Sequence, residues 1–558
     1  MLHCTRRELI AAFLGAPLAA ACRPSAARDY VATLGGQDHV AGHRVRDGVS
    51  FTPTRTRRVP VVIVGAGVAG LSAAWRLSGA GYDDYEVLEL EREPGGTSRS
   101  GSNDFTKFPW GAHYVPCPLP HARAVRALLL EMGVANLLPN GELEYDEAQL
   151  VRAPQERLFV ADRWYEGLYP AAGASREDLS QLARFEREVA QFSALRDASG
   201  RRAFAVPLAH AGESEETAAL DGSSFAAWLR ARDLTSPRLR WWLEYGTRDD
   251  LGATLEQTSA FAGLHYHTAR TTERGPSAFL TWPEGNGRLV AHLARTAGRR
   301  LRCGALVSKV RARTDGSYEL QCFTPRVFAR DAPAVLASRH EPAGQGAELL
   351  IAEHVVLAVP QAVAARVLDP LPDAVRAGAA TLRSGAWLVV NLTLRKRPVS
   401  HGYPECWDNV LYGSPSLGYV VATHQSDSAQ RGRTLWTWYL PLLGDDPAQD
   451  RKHLLALTAE DCAELALADL ARAHPDIAHC VERCDAFRWG HAIVRPTPGL
   501  YTGPLAHVRQ ELSRAHGRLH FAHTELSGMA LFEEAQWHGV RAAEEVLNAL
   551  GRPPQSLL

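Results

Sequence analysis

The sequence predicts an α/β protein in which one domain is interrupted by a second, mixed α+β domain. Three observations carry this. Residues 61–77, VVIVGAGVAGLSAAWRL, read as a buried strand, a glycine-rich turn and a helix, and YEVLELE follows as a second strand. Residues 121–276 are then mostly helical in pattern. Strands return between 305 and 440, and a terminal helix is expected from about 531 to 550.

At 558 residues the chain is long enough for more than one domain. Its 61 basic and 62 acidic residues give a net charge of −1, so no basic field favours a nucleic-acid partner. Nine cysteines are spread thinly and read as structural, with room for one disulfide. His479-Cys480-x-x-x-Cys484 fits no zinc spacing, and no metal is expected.

Residues 4–22, CTRRELIAAFLGAPLAAAC, carry paired arginines, a short apolar run and small residues. They are expected to be an export signal of twin-arginine type spanning 1–22, with periplasmic or exported localisation. Ala19-Ala20-Ala21-Cys22 resembles a lipoprotein cleavage site, which makes Cys22 a candidate lipid anchor. Residues 23–58 are polar and rich in Arg, Gly and Pro, and read as a tether.

The helical insert shows apolar residues at three- and four-residue intervals in HARAVRALLLEMGV and REDLSQLARFEREVAQFSAL. Asp221-Gly-Ser-Ser-Phe-Ala-Ala-Trp-Leu is expected to start a helix, with a capping side chain before an apolar face. ALVSKVRA, SYELQCF, HVVLAVP and AWLVVNLTLR read as strands, and 453–473 as one alanine-rich helix.

Gly65, Gly67 and Gly70 form G-x-G-x-x-G between strand and helix, with Ala69 in the same turn. Gly65 allows the tight turn, Gly67 lets backbone approach a pyrophosphate, and Gly70 lets helix and strand pack closely. The helix start favours the phosphates. Glu89, 19 residues beyond Gly70, is placed to accept from an adenosine ribose hydroxyl; neighbouring Glu91 is an alternative that strand register must decide.

EREPGGTSRSG points beyond dinucleotides in general. Glu89 followed at this spacing by Gly95-Gly96 resembles the flavin amine oxidase superfamily, which includes monoamine and polyamine oxidases, L-amino-acid oxidases and phytoene desaturases. The family's usual arginine is replaced by Thr97, with Arg99 two residues on. WGAHYVP resembles the segment that runs past the flavin ring, which implies roles for Gly111, Ala112, His113 and Tyr114. The resemblance also implies that Val307 meets the adenine, that Glu525 contacts the ribityl–pyrophosphate part, and that Leu531 and Phe532 lie at a helix start under the ring's pyrimidine edge. It therefore implies a Rossmann-type FAD-binding domain at 59–120, 277–370 and 485–558, interrupted by a substrate domain at 121–276 and 371–484.

The strand AWLVVNLTLR lacks the lysine that amine oxidases of this family usually carry, and RWGHAIVRPTPG has no cysteine for covalent attachment. Noncovalent FAD is therefore expected. His491 and His113 are candidate catalytic groups, and Asp250, Trp489 and Arg495 candidate pocket residues. Asp249-Asp250 can bind an ammonium group as a pair, or serve as helix cap and partner to Arg248. The expected reaction moves hydride from an amine or polyamine C–N bond to the flavin, which oxygen, a quinone or a carrier reoxidises. Two alternatives are a desaturase or isomerase of an apolar polyene, and a non-catalytic binding protein on the same fold.

Overall fold

The computed structural model describes residues 29–49, 52–272, 275–276, 278–323, 347–425 and 432–558. The predicted export signal, with Cys4 and Cys22, lies outside the described residues.

The cofactor-type domain is built on five parallel strands in the order Leu301–Cys303, Tyr85–Glu89, Val61–Val64, His354–Leu357 and Leu519–Phe521. The unbroken apolar run 61–64 follows from burial on both faces. Val61 and Ile63 join a core with the helices Val68–Gly79 and Phe532–Ala549, whereas Val62 and Val64 face a second core. That second core lies under a five-stranded sheet in the order Arg55–Arg58, Ala347–Ala352, Tyr318–Phe323, Leu306–Ala312 and Leu368–Asp369. The two long helices approach closely because position 539 is glycine: a Cβ there would collide with the Ala69 carbonyl oxygen.

The second domain centres on eight strands in the order Val31–Gly36, Val481–Val494, Ser384–Leu394, Thr434–Leu442, Tyr419–Val421, Asp408–Leu411, Glu156–Val160 and Arg163–Glu166. Alternation divides its faces. Ala386, Leu388 and Val390 pack with the helix Ala459–Leu470 in one core. Trp387 and Val389 join Tyr439, Phe487, Trp489 and Trp407 in an aromatic core on the other side.

Three expectations are corrected. Residues 31–36 pair in parallel with 483–488, and 55–58 pair with 348–351, so much of 23–58 is built into both domains rather than hanging as a tether. The boundary at 485 cuts through the strand Val481–Val494, which belongs wholly to the eight-stranded sheet. The helix expected at 453–473 is two, Pro447–Ala456 and Ala459–Leu470, because Leu457 turns extended and Thr458 starts a new capping box with Asp461. The helix start expected in 221–229 is present: Ser224 caps Phe225–Arg230, while buried Asp221 accepts hydrogen bonds from Ser259 Oγ at 2.7 Å and the Tyr501 and Thr502 amides at 2.8 Å.

Among the described residues Cys117, Cys303, Cys322, Cys406, Cys462, Cys480 and Cys484 are free. No group of three His, Cys, Asp or Glu among them could hold a metal ion, and no described helix is long and apolar enough to cross a membrane.

Candidate functional site

The strand Val61–Val64 ends in a turn only glycine fits. Gly65 has φ +99°, and a Cβ there would collide with the Ala358 carbonyl. A Cβ on Gly70 would strike the Gly65 carbonyl oxygen, so these two glycines close the turn against the helix. Gly67 differs. It caps the helix Val68–Gly79 with no side-chain hydrogen bond, and no protein atom lies within 4 Å of a Cβ placed on it. The second glycine pair lies alongside: the Gly95 amide donates to the Ala66 carbonyl at 2.8 Å, and Gly67 bridges Gly95. The two turns form one cradle at an uncapped helix start, a site suited to phosphate.

Glu89 faces this cradle. Its carboxylate accepts from the amides of Ala66 at 2.6 Å and Glu91 at 2.9 Å. Because the strand ends at Glu89, Glu91 escapes its alternation and turns away, accepting from the Asp38 amide at 2.7 Å. Arg99 follows Glu91 at 3.5 Å and lies 4.9 Å from the Phe487 ring centre and 5.6 Å from that of Trp489. Its guanidinium thus stands between the two domains, and its Nε is buried with no hydrogen-bond partner among the described residues. Thr97 acts through its backbone, its carbonyl accepting from the Ala112 amide at 3.0 Å.

Segment 110–114 is fixed from several sides. The Trp489 indole donates to the Trp110 carbonyl at 2.6 Å, and the Tyr439 hydroxyl to the Gly111 carbonyl at 3.0 Å. The Thr281 hydroxyl donates to the His113 carbonyl at 2.9 Å, and the Asn286 amide group to the Tyr114 carbonyl at 3.1 Å. His113 lies among the rings of Tyr114, Tyr439 and Trp407, with centres 5.0–5.4 Å away. Burial pushes its imidazole down to about 4, so it is neutral at physiological pH.

Glu525 is buried and accepts from the Gln361 amide at 2.6 Å. Leu531 caps the helix Phe532–Ala549 without a side-chain bond, and Phe532 packs into the cofactor-domain core. Val307 is buried on a strand whose register shifts between Val307 and Lys309, where ladder pairing is locally broken.

Beside Tyr114 lies a pocket of acids and rings. The Tyr114 hydroxyl donates to Asp250 Oδ1 at 3.1 Å, and Arg270 holds the other oxygen at 3.1 Å while reaching Glu533 at 3.8 Å. Asp250, the expected pocket acid, is therefore committed. Its neighbour Asp249 has no hydrogen bond or ion pair among the described residues; burial, Asp250 and Asp408 push its carboxyl well above the usual range. The Tyr245 hydroxyl donates to Asp408 at 3.1 Å, and burial with nearby Glu156 pushes Asp408 up to about 7. Arg248 takes no part with the acid pair and donates to the Ser414 and Ser416 carbonyls at 3.2 and 3.1 Å.

One further candidate is corrected: Arg495 is buried and donates to the carbonyls of Gly252, Leu442 and Gly444 at 3.1, 2.6 and 2.7 Å, which fixes loops rather than lining the pocket. Trp489 buttresses segment 110–114 through its indole N–H, and its ring packs in the aromatic core with Trp407 and Tyr439. His491 is exposed within the strand Val481–Val494, and its amide donates to the Gln37 side chain at 3.4 Å. Sequence reasoning missed Tyr245, Arg270, Trp407, Asp408, Tyr439 and Glu533. They come from distant stretches of the chain, Trp407 and Asp408 apart, and no local pattern joins them.

The sequence matches the family model of flavin-containing amine oxidoreductases over residues 68–547. The chain belongs to this family. Among curated relatives, L-amino-acid oxidases of Gloydius halys and Gloydius blomhoffii are 45% and 47% identical over 75 residues, 13% of this chain and 14% of each relative's length. Among solved structures, putrescine oxidase bound to putrescine superposes with TM-score 0.62 at 18% identity, covering 88% of this chain and 100% of that one. Cyclohexylamine oxidase from Brevibacterium oxydans gives 0.61 at 18%, covering 88% and 99%. At these identities the structural likeness is one of fold.

The residues present fit a flavin dinucleotide. The open space at Gly67, the uncapped helix start and the inward carboxylate of Glu89 together suit a pyrophosphate and a ribose.

Proposed function

We propose that this enzyme oxidises a cationic amine that lacks a carboxylate, a mono- or polyamine, using noncovalently bound FAD. The observation that carries the reading is Asp249: a half-buried carboxylate with no hydrogen bond or ion pair among the described residues, electrostatically close to Asp250, Asp408, Tyr245, Tyr266 and Tyr439. An uncompensated buried acid is costly unless a cation meets it. Arg270 is held by Asp250 and Glu533, which argues against a substrate carboxylate. The same acids disfavour an apolar polyene. Family membership sets aside the non-catalytic alternative.

FAD, when bound, accepts hydride from the carbon beside the amine nitrogen. Gly65, Gly67, Ala69, Gly70, Gly95 and Gly96 would hold its pyrophosphate and Glu89 its ribose. Asp249 and Asp408 hold the ammonium. Their raised proton affinity also lets them take its proton, leaving the neutral amine that oxidation requires. Trp407 and Tyr439 exclude water around the reacting group. Oxygen, a quinone or a carrier completes the cycle. Export by the twin-arginine route, with Cys22 as a lipid anchor, belongs to the same proposal and rests on residues 4–22 of the sequence.

The test is anaerobic bleaching of the purified protein, after the released flavin has been identified by mass. Amines and polyamines are expected to bleach it at least tenfold faster than L-amino acids or polyenes. Faster bleaching by either of the latter overturns the reading.

The pocket acids also set a pH dependence. Both Asp249 and Asp408 have raised proton affinity, so acid pH neutralises them and alkaline pH charges them. Binding of a quaternary ammonium probe, whose own charge does not titrate, should strengthen from pH 5.5 to 8. The limit is about tenfold per pH unit for each proton released. Calorimetry in buffers of different ionisation heat reads both affinity and proton release; a flat profile refutes the assignment.

A further inference from the structure

We propose that residues 29–47 form a strap across the two domains, and that it docks tightly only when the flavin site is filled. The first half of this arm is an edge strand. Val31–Gly36 pairs in parallel with residues 483–488 of the eight-stranded sheet, and Tyr30, Ala32 and Leu34 pack against that sheet's core. Asp29 adds an ion pair with Arg395 at 2.8 Å. The second half is the helix His39–Arg46, started by the Asp38 side chain accepting from the Ala41 amide at 2.9 Å. Val45, near its end, packs against the core beneath the cofactor-domain sheets. The strap therefore leaves one domain's core and reaches the other's.

The crossing point is Gln37-Asp38, and each residue holds a different side of the cofactor region. The Asp38 amide donates to Glu91 Oε1 at 2.7 Å. The Glu91 amide in turn donates to Glu89 at 2.9 Å, the carboxylate placed for the ribose. The Gln37 side-chain oxygen accepts from the Gly490 amide at 3.0 Å and the His491 amide at 3.4 Å. The residue before them, Trp489, holds segment 110–114 through the Trp110 carbonyl at 2.6 Å. One dipeptide is thus two contacts from the ribose acid and two from the segment proposed to border the ring.

The strap is also weakly buried. Ala41 is the one buried residue of its helix, and the strand Val31–Gly36 has no fully buried residue. Such a segment opens locally at far less cost than global unfolding. A ligand that orders both its anchor points shifts that local equilibrium toward the docked state, because only the docked state has both anchors in place. Reciprocally, the docked strap slows escape of the ligand.

The experiment uses the full chain with and without FAD, plus a Gln37→Ala variant, which removes one acceptor and leaves the glycine cradle and the acid pocket intact. Trypsin cleavage after Arg44 and Arg46, followed by mass spectrometry, is expected to be at least fivefold slower with FAD bound. Release of FAD, followed by the rise in its fluorescence on dilution, is expected to be at least threefold faster from the variant. Equal cleavage rates with and without FAD overturn the proposal, and so does an unchanged release rate in the variant. Neither readout depends on which amine is oxidised, so failure here is separable from failure of the proposed substrate.

Discussion

Replacing Gly67 by alanine should give a folded protein that has lost its flavin. The position has φ −69°, which alanine adopts freely, and no protein atom lies within 4 Å of the added Cβ. The folding cost is that of alanine in place of glycine at a helix cap, about 1 kcal/mol or less. The methyl group instead occupies the space through which the backbone would approach a pyrophosphate. Flavin affinity should fall on the order of 100-fold, about 2.7 kcal/mol. Gly70→Ala provides the contrast. Its Cβ would strike the Gly65 carbonyl, so it should lose both flavin and about 1–3 kcal/mol of stability. Visible absorbance after gel filtration, with urea unfolding of the same samples, checks both. A yellow Gly67→Ala protein at wild-type occupancy would contradict the cradle assignment.

Asp249→Asn should separate stability from catalysis in the opposite sense. The substitution keeps the shape and removes the group's ability to ionise against a bound cation. With a cationic amine, kcat/KM is expected to fall on the order of 100-fold, since a buried partner of the substrate charge is lost. Stability should rise at pH 8. The folded-state proton affinity of Asp249 is raised, so the native state holds a proton that the unfolded chain releases, and stability drains away as pH climbs from the ordinary carboxylate range toward the raised folded-state value. Asparagine has no proton to lose, and its melting temperature should exceed wild type at pH 8 and match it near pH 4. Asp250→Asn should behave differently, because it strips Arg270 and Tyr114 of their shared acceptor and destabilises the protein. Steady-state kinetics and thermal melts on the two variants decide whether Asp249 or Asp250 receives the substrate.

The cofactor domain was legible from the sequence because its signals are local. A strand buried on both faces must be continuously apolar, and a turn with positive φ or close backbone approach must be glycine. Both constraints act within a dozen residues, as at Val61–Gly70. Helix periodicity located Arg123–Glu131 and Arg176–Ala194 for the same reason. The corrected readings fail where a residue's role depends on distant partners. Arg495 looked like a pocket cation until three carbonyls from two other segments claimed it. Residues 31–36 looked like a tether because edge-strand pairing with residues 450 positions away leaves no periodic trace. The choice between Glu89 and Glu91 turned on where a strand ends, and a sequence marks that only loosely.

The sequence by itself determined that this chain carries a flavin-type dinucleotide cradle, since glycine geometry and the carboxylate spacing are properties of one contiguous stretch. Only the tertiary structure decided which acid of the Asp249-Asp250 pair is free. Adjacent carboxylates are equivalent in a sequence. They become different when a tyrosine from segment 110–114 and an arginine just past the following helix reach one of them and leave the other unpaired and half-buried.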